Sequence, residues 1–258
     1  MQLHFSFQNK SYQANLLSPI DISLSMGPNG DNPNAFFINP AVFEPIRVGN
    51  FVGSVAMGGS TNCEILTLCA HGNGTHTESV GHITEERLPI SQVLNKFWFV
   101  AQLVTVTPSE NGDVDLFQIQ QLVINEGVEA IVFRSLPNGE DKKSRIWSGN
   151  NAPFFQPEAL AYLAGLGIQH LLTDFPSVDP EVDEGRLSAH HCWWGQPQRE
   201  GHGNVHRVSP EDPRFGCTIT EMIYVKNDVE DGLYALNLQV PHLLTDAVPS
   251  RPILYSLV

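Results

Sequence analysis

Three histidines and a glutamate fall within twelve residues, in His71-Gly-Asn-Gly-Thr-His76-Thr-Glu78-Ser-Val-Gly-His82. Imidazole nitrogens with a carboxylate are a ligand set that divalent first-row cations accept when no thiolate is offered. Gly72, Gly74 and Gly81 allow this backbone to bend its donors inward rather than run as a regular helix. In an extended strand His76 and Glu78, two apart, point to one face, and an even offset of six brings His82 to the same side. Taken singly, each histidine fits a surface turn. Taken with the carboxylate, they predict one wall of a cation site.

A second group runs Thr173-Asp174-Phe175-Pro-Ser-Val-Asp179-Pro180 and leads into Ser188-Ala-His190-His191-Cys-Trp193-Trp194. It follows an apolar strand-like run, and strand ends are where α/β scaffolds present functional loops. Asp before Pro is also ordinary turn chemistry, and His191 fits equally as packing beside Trp193 or Trp194. Glu221 is the third signal, the only charge in Thr218-Ile-Thr-Glu221-Met-Ile-Tyr-Val225. A carboxylate in so apolar a strand needs a cation or strong hydrogen bonds, unless it lies on the solvent face. His202 and His206, four apart in a Gly-rich charged stretch, read as solvated; His4, His170 and His242 read as structural.

These residues need a scaffold, and its pattern is legible. Runs rich in Val, Ile, Leu and aromatics predict strands over Phe97 to Val106, Ala130 to Arg134, Ile168 to Thr173, Thr218 to Val225 and Leu233 to Val240. Helical spacing appears in Leu116, Ile119, Gln120 and Val123, and in Ala159, Tyr162, Leu163 and Leu166, the latter with Pro157 at its entry and Gly167 at its exit. Helix, short turn and strand alternate twice, so at least part of the sheet carries helices and the class is α/β or mixed β/α. The first 60 residues, punctuated by Gly-Pro-Asn-Gly and Asn-Pro pairs, are expected to be loop-rich and to wrap the body.

The 258 residues, 41% of them hydrophobic and 16% charged, suffice for one domain with a substantial core. A net charge of −14, spread along the chain, argues against nucleic acid and anionic membranes as partners. The first residues lack the basic and apolar regions of a secretory signal. The most apolar stretch, Phe97 to Thr107, is interrupted by Gln102 and falls short of the roughly 20 residues that span a bilayer. Cys63, Cys69, Cys192 and Cys217 form no C-x-x-C pair and read as reduced thiols, which fits a cytoplasmic protein.

The segment from His71 to His82, and Gly74-Thr75-His76-Thr77-Glu78 within it, resembles the H-x-G-T-H-x-D-x-P-x-H signature of the metal-dependent cyclase family, which includes bacterial kynurenine formamidases and isatin hydrolases. The later Thr173-to-Pro180, Ala189-His190-His191 and Ile219-Thr-Glu221 blocks resemble the family's other motifs in order. The resemblance extends from Ile20 to the carboxyl terminus. It departs in placing His71 five rather than four residues before His76, in Glu78 for the usual Asp, in Val80 for Pro, and in a longer loop from Gly195 to Gly216.

The resemblance implies an α/β fold: one domain, residues 1–258, a mixed β-sheet core with flanking helices of the swivelling β/β/α type. It also implies a centre of one or two divalent ions held by His71, His76, Glu78, His190 and Glu221, with His82 as the catalytic acid/base. Donors without a thiolate suit Zn²⁺, Mn²⁺ or Fe²⁺, which ligand type alone does not separate; Zn²⁺ is favoured and Mn²⁺ follows. The expected reaction is metal-assisted hydrolysis of an amide, formamide or cyclic amide C–N bond in a small, flat substrate, stacked on Trp193 and Phe175. An imidazole titrating near neutral pH suits the proton transfers. A cyclase or dehydratase, or a metal-binding protein without turnover, would carry the same ligands. Family members commonly form homodimers or larger homo-oligomers, and the Gly195 to Gly216 loop could serve as a lid or a contact.

Overall fold

The computed structural model describes residues 1–28, 31–198 and 208–258. Among the described residues nine strands join in one mixed sheet. In chain order they are β1 (Ile20–Asp21), β2 (His76–Glu78), β3 (Trp98–Val106), β4 (Ala130–Ser135), β5 (His170–Thr173), β6 (Thr218–Glu221), β7 (Gly232–Asn237), β8 (Ala247–Pro249) and β9 (Ile253–Ser256). Across the sheet the order is β8-β2-β6-β5-β4-β3-β7-β9-β1. The centre, β6-β5-β4-β3, is parallel; β2 and β8 extend it antiparallel on one side, and β7, β9 and β1 on the other.

Near-continuous apolar runs make the central strands, as expected where both faces are covered. Ile131, Phe133, Leu171 and Ile219 point to one side, into a core shared with three helices. Ala130, Val132 and Leu172 point to the other, against Ile22, Leu94, Ile223 and Leu254. The helices are α1 (Leu116–Gln120), α2 (Pro157–Gly165) and α3 (Ser188–Trp194). A capping box between Asp115 and Gln118 starts α1. Pro157 opens α2, where its missing N–H costs nothing. The helix expected to reach Val123 stops at Gln120, and the strand expected to reach Val225 stops at Glu221. There Met222 adopts φ +56°, and Ile223 N–H donates to Thr173 O on β5 instead.

The first 60 residues are more ordered than loop punctuation suggests. Gln2–Phe7 and Lys10–Asn15 form a hairpin, and Ile20–Asp21 closes one edge of the main sheet. An arm then leaves the body, with Val42–Pro45 paired to Glu64–Thr67 and Arg47–Val48 paired to Phe51–Val52. Its Val48, Val55, Met57, Ile65 and Leu66 are all exposed. Among the described residues no helix is long and apolar enough to cross a membrane.

Candidate metal centre

Two short strands build the floor of the site. β2 lies between β6 and β8 and runs antiparallel to both, with Glu221 opposite His76 and Ala247 opposite Glu78. The two-residue period puts His76 and Glu78 on one face, and the antiparallel register brings Glu221 to that face too. On the other face Thr77 Oγ1 lies 2.8 Å from Thr220 Oγ1, locking the strands together. His76, Glu78 and Glu221 are buried, and His76 Nε2 stands 3.3 Å from Glu221 Oε2.

A 3₁₀ turn, Val80–His82, follows β2. Ser79 caps it by accepting from Gly81 N–H, and it swings His82 over the floor. His82 Nε2 is 4.0 Å from Glu78 Oε2. His71, on the short helix Ala70–Asn73, stacks on His82 with ring centres 4.3 Å apart, and its Nδ1 lies 3.0 Å from Glu78 Oε2. From the opposite side α3 contributes His190, whose Nε2 is 3.1 Å from Glu78 Oε1 and 3.9 Å from Glu221 Oε1. His71, His76, Glu78, His82, His190 and Glu221 therefore meet at one place, although they span 150 residues of chain, 221 − 71.

Acceptors behind the imidazoles set their orientation. His76 Nδ1 donates to Gly74 O at 3.0 Å, and His190 Nδ1 donates to Asp179 Oδ2 at 2.5 Å. Asp179 also accepts from the Ala189 and His190 amides at the start of α3, so one carboxylate seats both the helix and its histidine. Val178 N–H donates to Glu221 Oε1 at 2.8 Å. Thus the stretch from Asp174 to Pro180 bears on the site through Val178 and Asp179. Asp174 is buried elsewhere, against Lys142 Nζ at 2.7 Å and Ser135 N–H at 2.9 Å.

Glu78, Glu221, Asp179 and Asp246 face His71, His76, His82 and His190. Burial would raise the Glu78 carboxyl, but His82, His190 and His71 hold it well below the usual range. Burial opposes a proton on His190, and Asp179 with Glu78 outweighs it, raising that imidazole well above its ordinary value. For His71 burial is likewise overcome, by Asp246 and Glu78, and its pKa rises to about 10. His76 Nε2 and both Glu78 oxygens are buried without an aligned hydrogen-bond partner among the described residues, because the imidazoles approach the carboxylate off the hydrogen-bond line. Orphaned inward-facing nitrogen and carboxylate donors are what a cation site needs. His71, His76 and Glu78 offer ligand atoms within 4.8 Å of one another, as do Glu78, His82 and His190.

A cleft of about 290 Å³ opens over His71, His82, His190 and Glu221, with Phe36 and Leu187 as apolar walls and Glu181 and Asp183 among its acidic groups. Phe175 and Trp193, expected as the substrate platform, are instead fully buried and do not line the cleft. They belong to the core under α2 and α3, where Phe175 packs on Phe155 and Arg214 lies over Trp193. His202 and His206 lie outside the described residues. Among the described residues Asp246 is a contributor the motif spacing did not indicate: its Oδ2 is 3.0 Å from His71 Nε2 and 3.4 Å from His82 Nδ1. Nothing in Leu-Thr-Asp246-Ala-Val-Pro ties it to a segment more than 160 residues earlier.

A family model, "Putative cyclase", matches residues 20–180 of the chain. Over 189 residues the chain is 28% identical to a kynurenine formamidase of Bacillus cytotoxicus, covering 73% of this chain and 77% of that protein. The corresponding protein of Bacillus mycoides is 27% identical over 191 residues, with coverages of 73% and 77%. A solved structure of a potential metal-dependent hydrolase with cyclase activity aligns with a TM-score of 0.65 at 18% identity, over 92% of this chain and 97% of that one. An isatin hydrolase bound to the product analogue thioisatinate aligns at 0.62 and 13% identity, over 93% and 92%. At these identities the structural likenesses establish the mixed α/β fold.

Proposed function

The chain belongs to the cyclase family, and from that premise we propose that it is a metal-dependent amidohydrolase acting on non-peptide C–N bonds. Its substrate class is a small, flat amide, either an aryl formamide, as the name of the kynurenine formamidases suggests, or a cyclic amide, as that of isatin hydrolase does. The observation that carries this reading is the convergence of orphaned buried donors, His76 Nε2 and the Glu78 carboxylate, with His190 and Glu221 beneath an open cleft.

We assign His71, His76, Glu78, His190 and Glu221 as the residues that would hold one or two ions, Zn²⁺ before Mn²⁺. When bound, such a cation supplies Lewis acidity, polarising a carbonyl and making water nucleophilic near neutral pH. The protein's own residues do the rest. Asp179 keeps His190 Nε2 directed inward, and Gly74 O does the same for His76. His82, a quarter exposed at the cleft wall, takes a proton from the attacking water and returns it to the departing nitrogen. Phe36 and Leu187 flank the face on which a planar substrate rests, and the acid groups Glu181 and Asp183 favour neutral or cationic substrates over anions.

The same reading takes the chain as one domain, since its single main sheet draws strands from Ile20 to Ser256. Its four unpaired thiols, two of them exposed, suit the reducing cytoplasm. The exposed apolar arm over residues 42–67 suits a homo-oligomer.

The test is turnover of N-formylkynurenine and of isatin by protein loaded with Zn²⁺ or Mn²⁺. Hydrolysis of at least one is expected, with His82→Ala losing about 100-fold in kcat while retaining its metal. His76→Ala should lose the metal itself. Tight metal binding with neither substrate turned over would reduce the protein to a binder.

A further inference from the structure

Among the described residues each imidazole that faces the centre has a polar atom beside its other nitrogen, and for two of them it is one oxygen. Asp246 Oδ2 lies 3.0 Å from His71 Nε2 and 3.4 Å from His82 Nδ1. Beyond that oxygen, the two rings stack at 4.3 Å, with His71 Nδ1 and His82 Nε2 both directed towards Glu78. The backbone of Asp246 is held as firmly as its side chain. Its carbonyl accepts from Ser79 N–H at 3.0 Å, Ser79 O accepts from His82 N–H at 3.0 Å, and Ala247 pairs with Glu78 across β8 and β2. The carboxylate is therefore registered to the turn that carries His82 by main-chain bonds independent of the imidazoles.

The geometry points to Asp246 as a positioning residue for His82, holding that ring with its Nδ1 towards the carboxylate and its Nε2 towards the centre. A carboxylate behind an imidazole fixes both tautomer and ring orientation, and the proton-transferring nitrogen must be unprotonated when water is attacked. This inference rests on the reading of His82 as the proton carrier of a hydrolase.

Asp246→Asn keeps the shape and removes the charge. In metal-saturated protein assayed with N-formylkynurenine, kcat should fall about 10- to 100-fold, with KM within about threefold and metal per chain as in the wild type. The double variant His82→Ala/Asp246→Asn should be no slower than His82→Ala alone, because the carboxylate acts through that ring. Independently of any variant, ¹⁵N NMR of the metal-loaded wild type should show His82 protonated at Nδ1. An unchanged kcat, loss of metal along with activity, multiplying losses in the double variant, or an Nε2–H tautomer would each overturn the assignment. If the wild type hydrolyses no amide, the functional reading fails instead, and the His82 tautomer still decides the role of Asp246.

Discussion

Glu78 is the residue on which three imidazoles converge, His71, His82 and His190. Glu78→Gln keeps the bulk and removes the charge that binds them, so metal content by elemental analysis should fall to the level of His76→Ala. Asp179→Asn acts one step out, loosening His190, and isothermal titration should show metal affinity lowered about 10- to 100-fold. A third residue reports on stability. Burial, with Lys96 and Arg214 adding to it, pushes the His170 imidazole down to about 3 from 6.5, while its Nδ1 contacts Thr218 Oγ1 at 2.9 Å. The unfolded chain thus takes up a proton that the native one refuses. Stability from this group is complete above about pH 6.5 and is lost as pH falls towards about 3, by up to about 1.4 kcal/mol per unit. Urea midpoints measured from about pH 7 to about pH 4.5 should fall less steeply in His170→Gln than in the wild type. At this scale the sequence was informative where ligands are close together: His71, His76, Glu78 and His82 share one segment. Asp246 was invisible because its contacts depend on β8 pairing with β2.

The elements position the site through a few steric decisions. Gly81 sits where a Cβ would come within 2.5 Å of Leu88 O and 2.6 Å of Leu88 N, backbone atoms that cannot swing aside. Gly81→Ala should cost about 1–3 kcal/mol in denaturant unfolding and displace the Val80–His82 turn. Activity should drop further than metal content, because His82 moves while His76 and Glu78 stay on β2. The central strands and α2 could be read from periodicity, being long apolar or amphipathic segments with clear punctuation. The end of β6 could not. A period of two runs through Thr218 to Val225 without registering that Met222 reverses its φ. Phe175 and Trp193 are ambiguous for a related reason: aromatic residues beside ligand loops fit a substrate platform or the core, and only the packing of α2 and α3 on the sheet shows them to be core.

Over the whole molecule, a cation that binds the native state alone raises stability by about 4 kcal/mol at a thousandfold excess over its Kd. Calorimetry should therefore show a marked drop in Tm after chelation, reversed by Zn²⁺, and little such response in His76→Ala. The arm over residues 42–67 presents Val48, Met57, Ile65 and Leu66 to solvent, and two-stranded ladders are marginal alone. Sedimentation should report an oligomer that Ile65→Asp weakens. The sheet order has one more consequence, for biosynthesis. β2, with its two inward donors, is flanked by β6 and β8, strands translated more than 130 residues later, and its turn is tied down by Asp246. A nascent polypeptide halted before Thr218 would already contain every imidazole of the centre yet lack Glu221 and Asp246. Capture of the cation is thereby deferred until β6 and β8 have closed on β2, so a bound ion marks a sheet already shut around it.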